Sequence, residues 1–177
     1  MIRQSLVNLG EGMIEEGLSC DDGWPDIVQD LMAAGLNDEE VAALLRHREV
    51  WTAEAREMKT AGYPYDEIIF HLITLRASWA DVGRALMAVG LSPADMLRAV
   101  LPSTEGEEHW PVMQLALTDG PEDADYEEVR GVLGFYFTSE EEALAALDLD
   151  GSRRELAAQR LGTDFTAGRV TPEEDQP

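Results

Sequence analysis

The chain has 177 residues, of which 45% are hydrophobic and 28% charged, as is typical of one globular domain with or without a small appendage. Its formal net charge is −23, so most of its surface repels nucleic-acid phosphates. A single cysteine, Cys20, excludes an intrachain disulfide and a cysteine-based zinc cluster. Because no apolar run reaches the roughly 20 residues that span a bilayer and the N-terminus lacks a signal-peptide pattern, we expect a cytoplasmic protein.

Two segments, WPDIVQDLMAAGL at 24–36 and WADVGRALMAVGL at 79–91, match at seven of thirteen positions. In the first segment, apolar residues at i, i+3, i+4 and i+7 predict an amphipathic helix. Gly35 follows at the place where glycine ends a helix, and Asn37 suits the N-cap of a second helix. The second segment has the same signals. Each copy is therefore predicted to be a helix, a tight turn and another helix.

A third, fainter copy begins at Tyr65, with Ser78 in the cap position. Its second helix is the first helix of the copy at 79–91, so this part of the chain is predicted to form three successive helices at about 64–75, 78–89 and 92–101. Reuse of one helix-turn-helix unit is typical of helical arrays. We therefore predict an all-α fold: an array of short helices with a smaller acidic C-terminal helical part.

The run SWADVGRALMAVGLSPADMLRAVL resembles the helix-turn-helix of bacterial regulators and sigma factors. The resemblance covers about residues 64–101 and also 24–48, and in the quoted run it rests on Val82, Leu86, Gly90, Leu91, Ser92, Met96 and Val100. It implies that the helix at 92–101 enters the DNA major groove. That helix offers DNA only Arg98, whereas the earlier copy ends in Arg46, His47 and Arg48, the alternative DNA-binding residues. We favour a simpler role for these three, which is to complement the dipole at a helix C-terminus.

The chain after Leu101 is the more acidic part. Residues 102–177 contain 19 acids and 5 arginines. Prolines and a glycine in LPSTEGEEHWPVM predict a linker or long turn, and Pro121 with the acids after it predicts a helix to about Leu133. We therefore predict four parts: a repeated helical hairpin domain at 1–101, an acidic Pro/Gly linker at 102–122, a C-terminal helical segment at 123–163 packed on that domain, and a polar tail at 164–177.

The segment GVLGFYFTSEEEAL is the only one with strand-like character, because three aromatic residues follow one another at 135–137. We expect an extended segment that caps the core, the alternative being a binding patch. Thr138 or Ser139 then caps a helix through EEEALAAL. A last helix, through RRELAAQRLG, is predicted to stop at Gly162.

The sequence has no phosphate-binding glycine loop, no nucleophile elbow and no histidine pair spaced for a metal. We therefore predict no enzyme, cofactor or metal site. The first hypothesis is an acidic interaction protein, such as an inhibitor of the phage or mobile-element kind that mimics nucleic acid and blocks a protein with a basic nucleic-acid-binding surface. The predicted contact residues are all acids: Glu105, Glu107, Glu108, Glu122, Asp123, Asp125, Glu127 and Glu128.

Two alternatives remain open. The first is a helix-turn-helix transcriptional regulator that contacts DNA through Arg46, His47 and Arg48. The second is a helical adaptor whose charge serves only solubility or tolerance of high salt.

Overall fold

A computed structural model describes residues 2–20 and 22–162, with side chains from Asn8 onward. These residues form eleven α-helices and no strand, which confirms the all-α class. The chain divides into two compact units, 1–89 and 90–177, so the division precedes the domain boundary predicted at 101. The predicted tail at 164–177 lies outside the described residues. None of the described helices is both long enough and apolar enough to cross a membrane.

The first unit contains six helices: α1 (Ile2–Ser19), α2 (Trp24–Ala33), α3 (Asp38–His47), α4 (Val50–Thr60), α5 (Tyr65–Thr74) and α6 (Trp79–Ala88). Each helix contacts the next along the chain, α1 also contacts α3, and α4 also contacts α6. The predicted apolar stripe of α2 is buried at Ile27, Val28 and Leu31. The core of the unit is aliphatic and includes the fully buried Leu31, Leu45, Ile68, Leu72 and Leu86.

The three copies of the repeat share one way of starting a helix. Asn37, Ser78 and Ser92 each accept a hydrogen bond from a backbone N–H three residues further on. That third residue is an acid in every copy, where the helix dipole favours a negative charge. The predicted caps are therefore confirmed, as are the three successive helices that begin at Tyr65.

The three copies also share a turn. The predicted glycines Gly35 and Gly90 have φ of 98° and 101°, in the left-handed region that glycine enters at little cost. The equivalent residue of the fainter copy is Arg76, with φ of 60°. The backbone thus keeps the turn although the glycine is absent, which explains why the sequence similarity is weakest there.

The described part of the second unit contains five α-helices: α7 (Pro93–Val100), α8 (His109–Thr118), α9 (Tyr126–Leu133), α10 (Glu140–Ala146) and α11 (Gly151–Leu161). Short 3-10 helices lie at Leu101–Ser103 and Gly106–Glu108. α7 packs on α8 and α9, and α11 packs on α8, α9 and α10. Ser139 caps α10 through the N–H of Glu142, and α11 ends at Gly162, as predicted.

Helix α8 lies within the segment predicted to be a linker. Pro111 is its third residue, and the first four N–H groups of a helix have no intrahelical acceptor, so a proline there removes no helical hydrogen bond. Val112, Met113 and Leu117 are fully buried. The linker prediction is therefore wrong for residues 109–118, which form a core helix.

The segment predicted to be extended is a turn that follows α9. The N–H groups of Tyr136 and Phe137 both donate to the carbonyl of Leu133, at 2.9 and 3.0 Å. Phe137 is buried, whereas Phe135 is 80% exposed. The extended segment was wrong because the end of α9 supplies acceptors for these backbone groups, whereas a lone strand would have no partner.

Two alanine substitutions in the second unit are expected to have opposite effects on stability. A Cβ on Gly120 would lie 2.7 Å from Tyr126 Oη, 2.8 Å from Pro93 Cγ and 2.9 Å from the carbonyl of Ala116, so Gly120→Ala should cost about 1–3 kcal/mol. A Cβ on Gly131, inside α9, meets nothing within 4 Å, so Gly131→Ala should stabilise by about 0.5–1 kcal/mol. Urea unfolding followed by circular dichroism measures both, and a loss of stability in Gly131→Ala would contradict the description of α9.

Candidate functional site

The eight acids predicted to form a contact face are all exposed. They fall into two groups, one before the first residue of α8 and one after its last turn. Because α8 has ten residues, it is about 15 Å long. The acids are therefore divided between the two ends of one helix.

The first group surrounds a short 3-10 helix. The Glu105 side chain accepts the backbone N–H of Glu108, and the Glu108 carboxylate accepts the backbone N–H of Glu105, at 3.1 Å for the second bond. These two carboxylates therefore stabilise the turn that enters α8. Glu107, between them in sequence, is exposed.

The second group begins α9. Asp125 Oδ1 accepts the N–H of Glu127 at 3.0 Å and that of Glu128 at 3.4 Å. This N-cap starts α9 at Tyr126, later than the start predicted at Pro121, because a side-chain acceptor for the free N–H groups fixes a helix start more strongly than a proline does. The Glu128 carboxylate accepts from Arg98 Nη1 at 3.0 Å, so its charge is partly neutralised.

Four of the eight acids make no ion pair and no side-chain hydrogen bond with the described part of the chain. We call them the unpaired acids: Glu107, Glu122, Asp123 and Glu127. Glu107 precedes α8 in the chain, Glu122 and Asp123 lie in the loop after it, and Glu127 lies in the first turn of α9. Their negative charges are therefore available to a partner.

The loop that carries Glu122 and Asp123 is held by Arg160. Its Nη1 and Nη2 donate to the carbonyls of Leu117 and Gly120 at 2.7 and 2.8 Å, and its guanidinium carbon lies 4.5 Å from the ring centre of Tyr126. Burial raises the pKa of Tyr126, which keeps its hydroxyl protonated as a donor. The sequence analysis missed Arg160, because its partners lie 40 and 43 residues away.

The side chain of Arg160 also borders a cavity of about 510 Å³ that includes Glu122, Tyr126 and Arg130. Arg130 Nη1 donates to the carbonyl of Leu161 at 3.3 Å. Both arginines of the cavity thus bind backbone carbonyls of their own unit. Arg160 holds the start of the loop that carries Glu122 and Asp123, and Arg130 binds the end of α11.

The alternative DNA-binding residues lie at the end of α3. Arg46 donates from Nε and Nη2 to the two carboxylate oxygens of Asp81, at 3.1 and 2.7 Å. Arg48 Nη2 donates to Glu11 at 2.7 Å and to Glu15 at 2.8 Å. Arg46 and Arg48 therefore both form ion pairs with carboxylates of the same unit.

His47, between these arginines, is exposed in the last turn of α3. Its position and that of Arg46 agree with the predicted role of complementing the helix dipole. The carboxylate partners were not predicted, because they lie on α1 and α6, far away in the sequence.

The most buried carboxylate of the first unit belongs to Asp81, whose side chain is 4% exposed. It accepts from Arg46, from Arg84 at 3.1 Å and from the Ser78 hydroxyl at 2.6 Å. Burial raises the pKa of Asp81, but the hydrogen bonds from Arg46 and Ser78 and the two nearby guanidinium charges outweigh burial, so this pKa lies below its ordinary value. The group borders a cavity of about 750 Å³ and stays charged at neutral pH.

We expect Asp81→Asn to lower the free energy of unfolding by about 1–3 kcal/mol at neutral pH. A carboxyl group whose pKa is lower in the folded than in the unfolded chain contributes stability above its unfolded pKa of about 3.9, and this contribution disappears as the pH falls through the folded value. The difference between the wild type and Asp81→Asn should therefore shrink in acid. Urea unfolding at about pH 7 and about pH 3 measures it.

Asp95→Asn is the matched control, because Asp95 holds the same position in another copy of the repeat and pairs with Ser92 and Arg98. Its side chain is 59% exposed, so we expect a smaller cost. An equal cost for both variants would show that burial of Asp81 contributes nothing.

No three histidine, cysteine, aspartate or glutamate side chains in the described ranges are placed to hold a metal ion. Cys20 is exposed. Comparisons with protein-family models, with curated proteins and with solved structures found no match.

Proposed function

We propose that the protein is an acidic interaction protein whose second unit binds the basic surface of a nucleic-acid-binding protein, as a mimic of nucleic acid. The observation that carries the proposal is that exposed, unpaired acids lie on both sides of α8 along the chain. No lysine or arginine lies between Arg98 and Arg130, so no cation within this stretch neutralises them.

The order of the two groups in the chain is consistent with mimicry. Helix α8, about 15 Å long, lies between them in the sequence, and the DNA major groove is about 12 Å across. A protein surface that binds phosphates on both sides of a groove presents cations at similar separations. Carboxylates before and after α8 can take the place of phosphates opposite such cations, and the Arg160 contacts that hold the loop after α8 reduce the entropy lost on binding.

The DNA-binding alternative has less support. Arg46 and Arg48 would have to leave Asp81 and the α1 carboxylates in order to bind phosphates, and the net charge of −23 opposes the approach of DNA. A solubilising role for the acids remains the second alternative. Capture of partners from a lysate distinguishes mimicry, DNA binding and a solubilising role.

The test is capture of partners from a lysate of the source cells by the full chain, at low salt and at about 0.5 M salt, which screens surface charges within a few ångströms. We expect a nucleic-acid-binding protein that is lost at high salt and displaced by added DNA. Capture of DNA itself would favour the regulator. A partner that survives high salt and ignores DNA would contradict both, and no partner at all would leave solubility as the role of the charge.

A further inference from the structure

The most exposed large apolar side chain of the described residues is Phe135, at 80%. Tyr136 beside it is 38% exposed. The turn that presents them is fixed by hydrogen bonds from the N–H groups of Phe135 and Tyr136 to the carbonyls of Val132 and Leu133, at 3.3 and 2.9 Å. Both rings are therefore held at the surface by an ordered backbone.

Tyr136 belongs to a cluster of aromatic side chains in the second unit, and Phe135 precedes it in the chain. The ring of His109 lies 5.2 Å from that of Tyr136 and 6.1 Å from that of Trp110, in both cases edge to face. Trp110 stacks on the buried Phe137 at 5.6 Å. The cluster is thus anchored in the core through Phe137, and the exposed Phe135 lies in the same turn.

Acids precede and follow this cluster along the chain. Glu105, Glu107 and Glu108 come directly before His109, and three glutamates occupy the first turn of α10. Among these, Glu142 accepts from the N–H of Thr138 at 2.7 Å. Hydrogen bonding from the Thr138 hydroxyl and N–H lowers the pKa of Glu142, so its charge is present at neutral pH.

No cation of the described chain covers the exposed rings. The three cation–π pairs among the described residues involve Trp51, Tyr65 and Tyr126. No lysine or arginine lies between Arg130 and Arg153 in the sequence. Exposed aromatic rings that carboxylates precede and follow in the chain, with no cation of their own, are chemically complementary to a guanidinium group, which stacks on rings and donates to carboxylates.

We propose that the turn at Phe135 and Tyr136, with the glutamates that flank the aromatic cluster, docks an arginine side chain of a protein partner. The inference rests on the proposed function, since it specifies how the second unit recognises the basic surface of a partner. A surface that recognised charge alone would bind lysine and arginine side chains equally well. Stacking on Phe135 adds a preference for arginine, because the planar guanidinium group is more weakly hydrated than an ammonium group.

The test uses two dye-labelled peptides of the same length and net charge, one rich in arginine and one rich in lysine, titrated with the full chain by fluorescence anisotropy. We expect tighter binding of the arginine peptide. Phe135→Ala should weaken that binding about 2–5-fold and remove the preference over lysine. Phe135→Trp should keep the preference, since tryptophan offers the best ring for a cation.

Phe70→Ala is the matched control, because Phe70 is 75% exposed but lies in α5, in the other unit. It should leave binding of the arginine peptide unchanged. Both phenylalanines are exposed enough for their removal to leave the helical circular dichroism intact. Equal binding of the two peptides, or equal effects of Phe135→Ala and Phe70→Ala, would overturn the docking of arginine on Phe135.

The outcome for this inference is separate from that of the proposed function. Capture of a partner that DNA displaces would support the proposed function even if the peptides showed no arginine preference. The chain could also prefer the arginine peptide in a way that depends on Phe135, while no captured partner is displaced by DNA. That result would support the arginine-binding site and reject nucleic-acid mimicry.

Discussion

Trp51→Ala should lower the free energy of unfolding by about 3–5 kcal/mol, as is usual when a buried tryptophan is truncated. Trp51 is 4% exposed and lies in the first turn of α4. Its indole N–H donates to the carbonyl of Leu75 at 3.1 Å, and the guanidinium carbon of Arg46 lies 5.5 Å from the ring centre. The side chain thus joins the end of α3, the start of α4 and the end of α5, and its loss leaves both a cavity and an unpaired carbonyl.

Urea unfolding followed by circular dichroism measures this effect. Trp51→Phe is a milder change, because it keeps one aromatic ring while it removes the N–H donor and part of the indole volume. We expect it to cost about 1–3 kcal/mol, the penalty for a buried acceptor without a partner. A loss below about 1 kcal/mol for Trp51→Ala would show that the ring is not part of a packed core.

Neutralising the four unpaired acids should slow association with the captured partner by about 10-fold or more at low salt, because complementary charge accelerates encounter by about 10 to 1,000-fold. The variant carries Glu107→Gln, Glu122→Gln, Asp123→Asn and Glu127→Gln. The change should act mainly on the association rate, since these side chains are exposed. Stopped-flow fluorescence at several salt concentrations measures it, and the effect should fade as salt rises.

A matched control neutralises the same number of exposed acids in the first unit: Asp30→Asn, Glu39→Gln, Glu57→Gln and Glu67→Gln. Both variants change the net charge equally, so a difference between them reports the location of the charge. We expect the control to associate at nearly the wild-type rate. Equal slowing by both variants would mean that only the total charge matters and that the ends of α8 are not the contact surface.

The parts of the fold that the sequence predicts are those decided by neighbouring residues. The Asn37 side chain caps α3 by accepting the N–H of Glu40 at 2.9 Å, and Gly35 supplies the left-handed turn before it. Both features involve residues that lie within a few positions of one another in the sequence. Repetition of this local pattern makes three helices predictable at once. Arg76 shows that even the faint copy keeps the same backbone turn.

The incorrect predictions concern residues whose structure depends on distant contacts. Pro111 looked like a break, because nothing local shows that it falls in the first turn of a core helix. Phe135 and Phe137 are the same residue type two positions apart, yet one is exposed and the other buried. The partners of Arg46 and Arg160 lie 35 or more residues away, so the sequence shows the arginines but not the carboxylate and the carbonyls that bind them.

The measurement that tests the central claim most directly is competition between this protein and duplex DNA for the captured partner. The partner is first saturated with dye-labelled DNA, and the full chain is then added while fluorescence anisotropy is followed. If the second unit occupies the partner's nucleic-acid-binding surface, the labelled DNA is released completely. The variant that lacks the four unpaired acids then needs a higher protein concentration to release the same amount of DNA. A ternary complex that retains the DNA would contradict the account.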